Sequence, residues 1–268
     1  MFDDYRELLG GVPGEVPNTA QMHPDPVAIG GVGGSGTRVL AELLGASSLA
    51  MASPVNRALD AYEWPPLGLL SESCNKVDRD RTLAAALHVF ERLLDERRAR
   101  LNKSGRVAWK VPGTFLWLRH LSSYFPDMQY IHLIRNGLDM AYSRNQRQAR
   151  RHGRELGVDL EFRDGRRLAP ASVLDYWLAG NEQAIREGEA LLGSRFLLLR
   201  FEDLCSAPVV TLQCLEEFLD LPLLDALPES LLEQISTPPT VDRYLERNWQ
   251  TDFSSQQLER VGRLGYRP

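Results

Sequence analysis

Apolar and polar residues follow two alternating rhythms along this chain. Four short runs are apolar almost throughout: VAIGG (27–31), VAWKV (107–111), YIHLI (130–134) and RFLLLRF (195–201). Between them, apolar residues recur every three to four positions, as do Leu83, Leu87, Phe90, Leu93 and Leu94 within 78–102. Similar spacing predicts helices over 37–46, 114–124, 137–150 and 171–192, and further ones near 208–219, 228–235 and 254–262. Strands that are apolar on successive residues are buried on both faces, and strands alternating with helices form parallel sheets. The pattern predicts one α/β domain over 1–268, with a central parallel sheet flanked by helices and some helical additions. Two stretches keep neither rhythm: 47–75, with Pro54, Pro65 and Pro66, and the polar, glycine-containing 152–170. Both are expected as loops.

Composition narrows the function. A formal net charge of −5 over 268 residues disfavours nucleic acid as a partner, so any anion site must be local. The three cysteines, Cys74, Cys205 and Cys214, fit no metal-binding spacing and suit a reducing compartment. The start, MFDDYRELLGG, is acidic where a signal peptide is basic and apolar, and no apolar run approaches membrane-spanning length. The expectation is a cytoplasmic protein without a transmembrane segment. Arginine outnumbers lysine 28 to 3, which singles out each lysine for inspection.

The first strand runs directly into a loop that is half glycine, VAIGGVGGSGTR (27–38). A glycine-rich turn between strand and helix aims backbone N–H groups and a helix N-terminus at one point, which suits a phosphate. It also serves as a merely tight turn. The nucleotide-hydrolysing version of this loop ends in Gly-Lys-Ser/Thr. Here Thr37 and Arg38 follow Gly36, so an ATPase or kinase is disfavoured and a phosphate that is held, not cleaved, is favoured.

Two further stretches join this loop. YIHLIRNGLDMAYSR (130–144) ends a strand in Arg135 and carries Ser143 eight residues later; LLLRFEDLCSAP (197–208) ends another in Arg-Phe-Glu-Asp-Leu. With GGVGGSGTR and WKVPGTF (109–115), their order and spacing over roughly 27–220 resemble the family of sulfotransferases that depend on 3′-phosphoadenosine 5′-phosphosulfate (PAPS; the product is PAP). The resemblance implies a P-loop-like three-layer domain. It implies that Gly33, Gly34, Ser35, Gly36, Thr37 and Arg38 hold the 5′-phosphosulfate, and that Arg135 and Ser143 hold the 3′-phosphate. A guanidinium fork is well matched to a terminal phosphate. Asp139, Arg200, Glu202 and Asp203 read as structural, with Asp139 ordering the first turn of its helix.

The chain departs from the family at Gly34, where relatives usually carry a lysine or arginine that bridges the leaving phosphate. Lys110, in a Lys-x-Pro motif that relatives share, and Arg38 are the nearest replacements. No histidine follows the Lys-x-Pro segment, where many cytosolic relatives place their base. The candidates are acids in MASPVNRALDAYEWPP (51–66), Asp60 first and Glu63 second, set against the plainer reading of both as solvated loop acids. Nothing in the sequence calls for a metal.

The implied reaction is in-line transfer of a sulfuryl group from PAPS to a hydroxyl (or amine) of a carbohydrate or small molecule. Loops 47–76 and 152–170 are the expected acceptor-site loops. Tyr62, Trp64 and Trp117 either line a pocket or pack the core. Arg147, Arg150, Arg151 and Arg154 form either a solvated face or a rim for an anionic acceptor. Two rivals stand beside this reading: a non-catalytic PAP- or nucleotide-binding protein, which Gly34 permits, and a P-loop small-molecule kinase, which lacks its lysine.

Overall fold

The computed structural model describes residues 25–52, 55–73, 78–103, 105–228, 231–232, 235 and 237–267. Five strands form a single parallel sheet in the order β2-β3-β1-β4-β5: β1 (Val27–Gly30), β2 (Ala50–Met51), β3 (Val107–Lys110), β4 (Gln129–Ile134) and β5 (Phe196–Arg200). Side chains alternate across the sheet. Val27 and Ile29 of β1 turn to one face, against Leu40, Leu43 and Leu44 of α1 (Thr37–Gly45) and Leu212, Leu215 and Leu219 of a later helix, Pro208–Leu219. Ala28 and Trp109 turn to the other, among Phe90, Phe115 and Trp177. The sheet is thus the middle of three layers, the fold class expected.

On the second face lie α2 (Leu67–Ser73), α3 (Arg79–Arg100), α4 (Leu118–Tyr124), which a 3₁₀ turn over Pro112–Trp117 introduces, α5 (Gly137–Ala141), α6 (Arg147–His152) and α7 (Pro170–Leu192). After β5 come α8 (Phe201–Ser206) and α9 (Pro208–Leu219), then α10 (Trp249–Asp252) and α11 (Ser255–Arg263). The chain leaves β1 into α1 on one face and leaves β4 towards α7 on the other. In an open parallel sheet the crevice at such a switch, outside the carboxyl ends of the strands, is where ligands bind. The glycine loop follows β1 and Arg135 follows β4, so both stand at this crevice.

Four expectations are corrected. The stretch 47–75 is not wholly irregular, since it contains β2 and α2. The helix expected over 137–150 is two helices, broken at 142–146. There Ser143 Oγ accepts the N–H of Asn145 (3.2 Å) and Asn145 Oδ1 that of Arg147 (3.4 Å), side-chain bonds that compete with the helical ladder. The run 195–201 ends as a strand at Arg200, and Phe201 begins α8. The loop 152–170 contains a one-turn 3₁₀ helix, Arg154–Leu156, and a bridge between Phe162 and Leu168. The helix expected near 228–235 falls partly outside the described residues, as do Cys74 and Pro54.

Candidate active site

The loop between β1 and α1 owes its shape to glycine at two places. Gly34 and Gly36 have φ of 101° and 96°, a region other residues adopt at a cost. A Cβ on Gly34 would also come within 2.8 Å of Met140 Cε, and one on Gly36 would enter the Phe201 ring. Glycine at position 34 is therefore what this loop conformation favours. Gly36 caps α1 without a side-chain hydrogen bond, and the first turn holds no acid. The N-terminus of α1 thus keeps its positive end free of an internal anion. Ser35 Oγ, beside it, is buried and has no hydrogen-bond partner among the described residues. The Gly33 N–H donates to the Gln148 side-chain oxygen, which reaches over from α6.

Arg135 leaves the end of β4 almost fully buried. Its guanidinium lies 4.8 Å above the centre of the Phe201 ring, the same ring that packs on Gly36, so loop and arginine share a wall. Arg135 donates to Thr240 Oγ1 (2.8 Å), while its Nε has no partner among the described residues. Arg243 stands close enough for the two guanidiniums to repel, and its Nε is likewise buried and unpartnered. Burial, and then Arg135, push the Arg243 pKa down. Asp139 is the reason for this approach. Fully buried, it accepts the N–H groups of Asp242 (2.9 Å) and Tyr244 (3.3 Å), fastening the segment that carries Arg243 and Thr240 beside Arg135. Burial raises the Asp139 pKa, against the lowering effect of those two N–H bonds and both arginines. Asp139 is structural as expected, but it anchors a distant segment instead of the first turn of α5.

A buried polar chain supports Arg135 from below. Tyr130 OH lies 2.7 Å from His132 Nδ1, His132 Nε2 lies 2.9 Å from Asn181 Oδ1, and Asn181 Nδ2 donates to the Trp177 carbonyl (2.7 Å). That last bond orients the amide, so Nε2 carries the imidazole hydrogen and Nδ1 accepts from the tyrosine. Trp177 Nε1 in turn donates to the Arg135 carbonyl at 2.9 Å. Burial holds the His132 pKa down at about 4.

Lys110 and Asp60, singled out separately in the sequence, meet. Lys110 ends β3 opposite Ile29 of β1, and its ammonium, 2% exposed, contacts Asp60 Oδ1 (2.5 Å) and the Ala58 carbonyl. Burial lowers the Lys110 pKa; Asp60 acts in the opposite direction. Asp60 is partly exposed, and Asn56 Nδ2 donates to its second oxygen at 2.9 Å. Glu63 turns away and pairs with Arg97 of α3 at 3.0 Å. Arg38 is largely exposed and leans along α1 towards Glu42 at 3.7 Å. Ser143 sits in the break between α5 and α6; its oxygen accepts from Asn145, so its own hydrogen remains to be donated. Trp64 packs edge-on against Phe90 and near Trp109 in the core, whereas Tyr62 is exposed. Glu202 accepts from the Asn136 N–H (2.8 Å) and Tyr266 OH (3.0 Å), and Arg200 donates to the Leu264 carbonyl (3.0 Å), as structural residues do.

Sequence reasoning missed Arg243, Thr240 and Gln148. None stands in a recognisable motif; only the fold carries them to the crevice. Among the described residues, no group of three or more His, Cys, Asp or Glu side chains could hold a metal ion, and no helix is long and apolar enough to cross a membrane.

A glycine loop after a buried strand, with buried donors around it that have no partner among the described residues, stands at the carboxyl edge of the parallel sheet of this α/β protein. The sulfotransferase family model matches residues 26–225, and the chain belongs to that family of enzymes. Similar folds are those of the sulfotransferase domain from the Synechococcus PCC 7002 olefin synthase (TM-score 0.54, 17% identity, 96% of this chain and 100% of that one) and of the sulfotransferase domain from the curacin biosynthetic pathway (0.56, 17%, 93% and 100%). The sulfotransferase STF1 from Mycobacterium tuberculosis H37Rv is also similar (0.53, 16%, 97% and 80%). No curated protein matches in sequence.

Proposed function

We propose that this sulfotransferase transfers the sulfuryl group of PAPS, in line, to a hydroxyl (or amine) of a small-molecule or saccharide acceptor. One observation carries the reading: Ser35 Oγ, Arg135 Nε and Arg243 Nε are buried donors without partners among the described residues, and loop and arginine meet on one Phe201 wall. Buried donors left unmade are costly, and phosphate oxygens would satisfy them. When bound, PAPS supplies an activated sulfuryl group whose bond to the 5′-phosphate breaks as the acceptor oxygen bonds to sulfur. The Gly33–Arg38 segment and the N-terminus of α1 bind at the 5′ end. Arg135 and Ser143, with Arg243 beside them, hold the 3′-phosphate. Lys110 offsets charge that develops on the leaving oxygen, and Asp60 takes the acceptor's proton late in the transfer. Their ion pair offsets part of the cost of burying the ammonium and, with Asn56 Nδ2 on the second oxygen, holds the carboxylate in place.

Titration with PAP tests the donor half. At about 100 times its dissociation constant, PAP should stabilise the protein by roughly 2.7 kcal/mol without magnesium. Arg135→Ala should lose most of that thermal shift. An unchanged shift, or a strict need for magnesium, overturns the assignment.

A further inference from the structure

We propose that an arginine-lined cleft next to the donor loop selects an acceptor that already carries a phosphate or sulfate ester. The proposal rests on the sulfotransferase reading above and gives its acceptor a chemical class. The cleft, about 620 Å³, opens between 144–150 and the turn at 162–168, with Arg144, Arg147, Arg150, Arg166 and Arg167 around it and no carboxylate in its lining. Arg151 and Arg154, grouped with Arg147 and Arg150 in the sequence, are not part of the lining. In a chain with a net charge of −5, this local excess is a strong departure.

All five guanidinium side chains are exposed, and none forms an ion pair among the described residues. Asp164, in the same turn, accepts the backbone N–H groups of Arg166 (3.0 Å) and Arg167 (2.7 Å) and lies near enough for its charge and that of Arg167 to interact, and Glu155 pairs with His152 at 2.8 Å. The walls are tied together. Gln146 accepts the Leu168 N–H (2.9 Å) and donates to the Leu168 carbonyl (3.3 Å), and Arg163 N–H donates to the Arg167 carbonyl (2.8 Å). Arg150 lies over the exposed Phe162 ring at 5.8 Å. A neutral sugar is bound by bare aromatic faces and mixed donors and acceptors. Guanidiniums present donors alone, in a fork that matches phosphate and sulfate oxygens.

The position connects the cleft to the reaction. Arg147 precedes Gln148 in α6, and Gln148 reaches the Gly33 N–H of the donor loop. Ser143 lies just before Arg144. An ester held in the cleft therefore places the rest of its molecule, and its free hydroxyl, beside the sulfuryl donor. A soluble sugar ester and a lipid headgroup offer the same chemistry.

Binding to the PAP-loaded protein at about physiological ionic strength separates the cases, with glucose 6-phosphate, glucose 6-sulfate, glucose, and phosphatidylcholine vesicles with or without phosphatidylinositol phosphate as probes. Either sugar ester should bind at least about tenfold more tightly than glucose. Arg147→Ser with Arg167→Ser should remove that preference at an unchanged thermal midpoint and unchanged PAP affinity. Binding only to the phosphoinositide vesicles, lost in the same variant, supports the lipid source. Equal binding of ester and glucose, no binding of any probe, or an undiminished preference in the double variant overturns the proposal. Failure of PAP to bind the wild-type protein instead overturns the donor assignment, and the same probes then judge the cleft on the free protein.

Discussion

Around the glycine loop, the groups facing the crevice are set by backbone or burial: Gly34 and Gly36 by their φ angles, Ser35 and Arg135 by enclosure. Across α6, the cleft is lined by exposed arginines on long side chains. The difference is one of reorganisation: fixed dipoles need none, whereas side chains on surface loops can move and be substituted at little cost to the fold. On the function proposed above, the first suits a constant donor and the second an acceptor. The Lys110–Asp60 pair lies between these regimes, with its ammonium buried and its carboxylate partly open.

The largest effect is expected at that junction. Asp60→Asn should lower transfer by about 10² to 10⁴ while PAP still binds, since the amide keeps the shape but cannot accept a proton. Glu63→Gln should be milder in rate, because Glu63 is engaged with Arg97. Steady-state rates with a working acceptor decide; if both variants remain fully active, this loop does not supply the base. Lys110→Ala should lower kcat by about 10² to 10³ with PAP affinity nearly kept. Normal turnover would move the leaving-group role to Arg38.

A third measurement probes the fixed half alone. His132 has its pKa depressed from 6.5 to about 4 by burial, so its contribution to stability is complete above 6.5 and is lost as pH falls towards 4. Urea unfolding across that window should show a loss of roughly 3 kcal/mol on acidification. His132→Gln should flatten the slope over the same range; a slope that persists in the variant belongs to other groups. The smallest effect is expected on the open side. Arg38→Ala should change stability by no more than about 0.5 kcal/mol, because an exposed ion pair between neighbouring helical turns contributes little. A larger drop in thermal midpoint would mean that its guanidinium is buried against the loop.

Much of the fixed half was legible in the sequence, because strands buried on both faces leave unbroken apolar runs. β1, β3 and β4 were read this way; β5 leaves a similar run although it is an edge strand with Leu198 exposed, whereas β2, only two residues long, leaves none. The helix over 137–150 was misread because apolar spacing does not register what Ser143 and Asn145 do to nearby N–H groups. Arg135, Lys110 and Asp60 stood out by motif and by the scarcity of lysine. Their partners did not. Lys110 and Asp60 lie 50 residues apart, and Arg243 is brought in by hydrogen bonds to Asp139, which no local pattern encodes.

The clasp at Asp139 bears on how such a site can evolve. The family match ends at residue 225, yet Thr240, Arg243, Tyr244 and Tyr266 all lie beyond it. The shared segment carries the sockets: Asp139 for the 242 and 244 amides, Glu202 for the Tyr266 hydroxyl, and Arg135 for Thr240. The later segment works as a strap buckled into them. Because backbone amides make two of these fastenings, straps of different sequence can buckle into the same sockets while the frame beneath stays untouched.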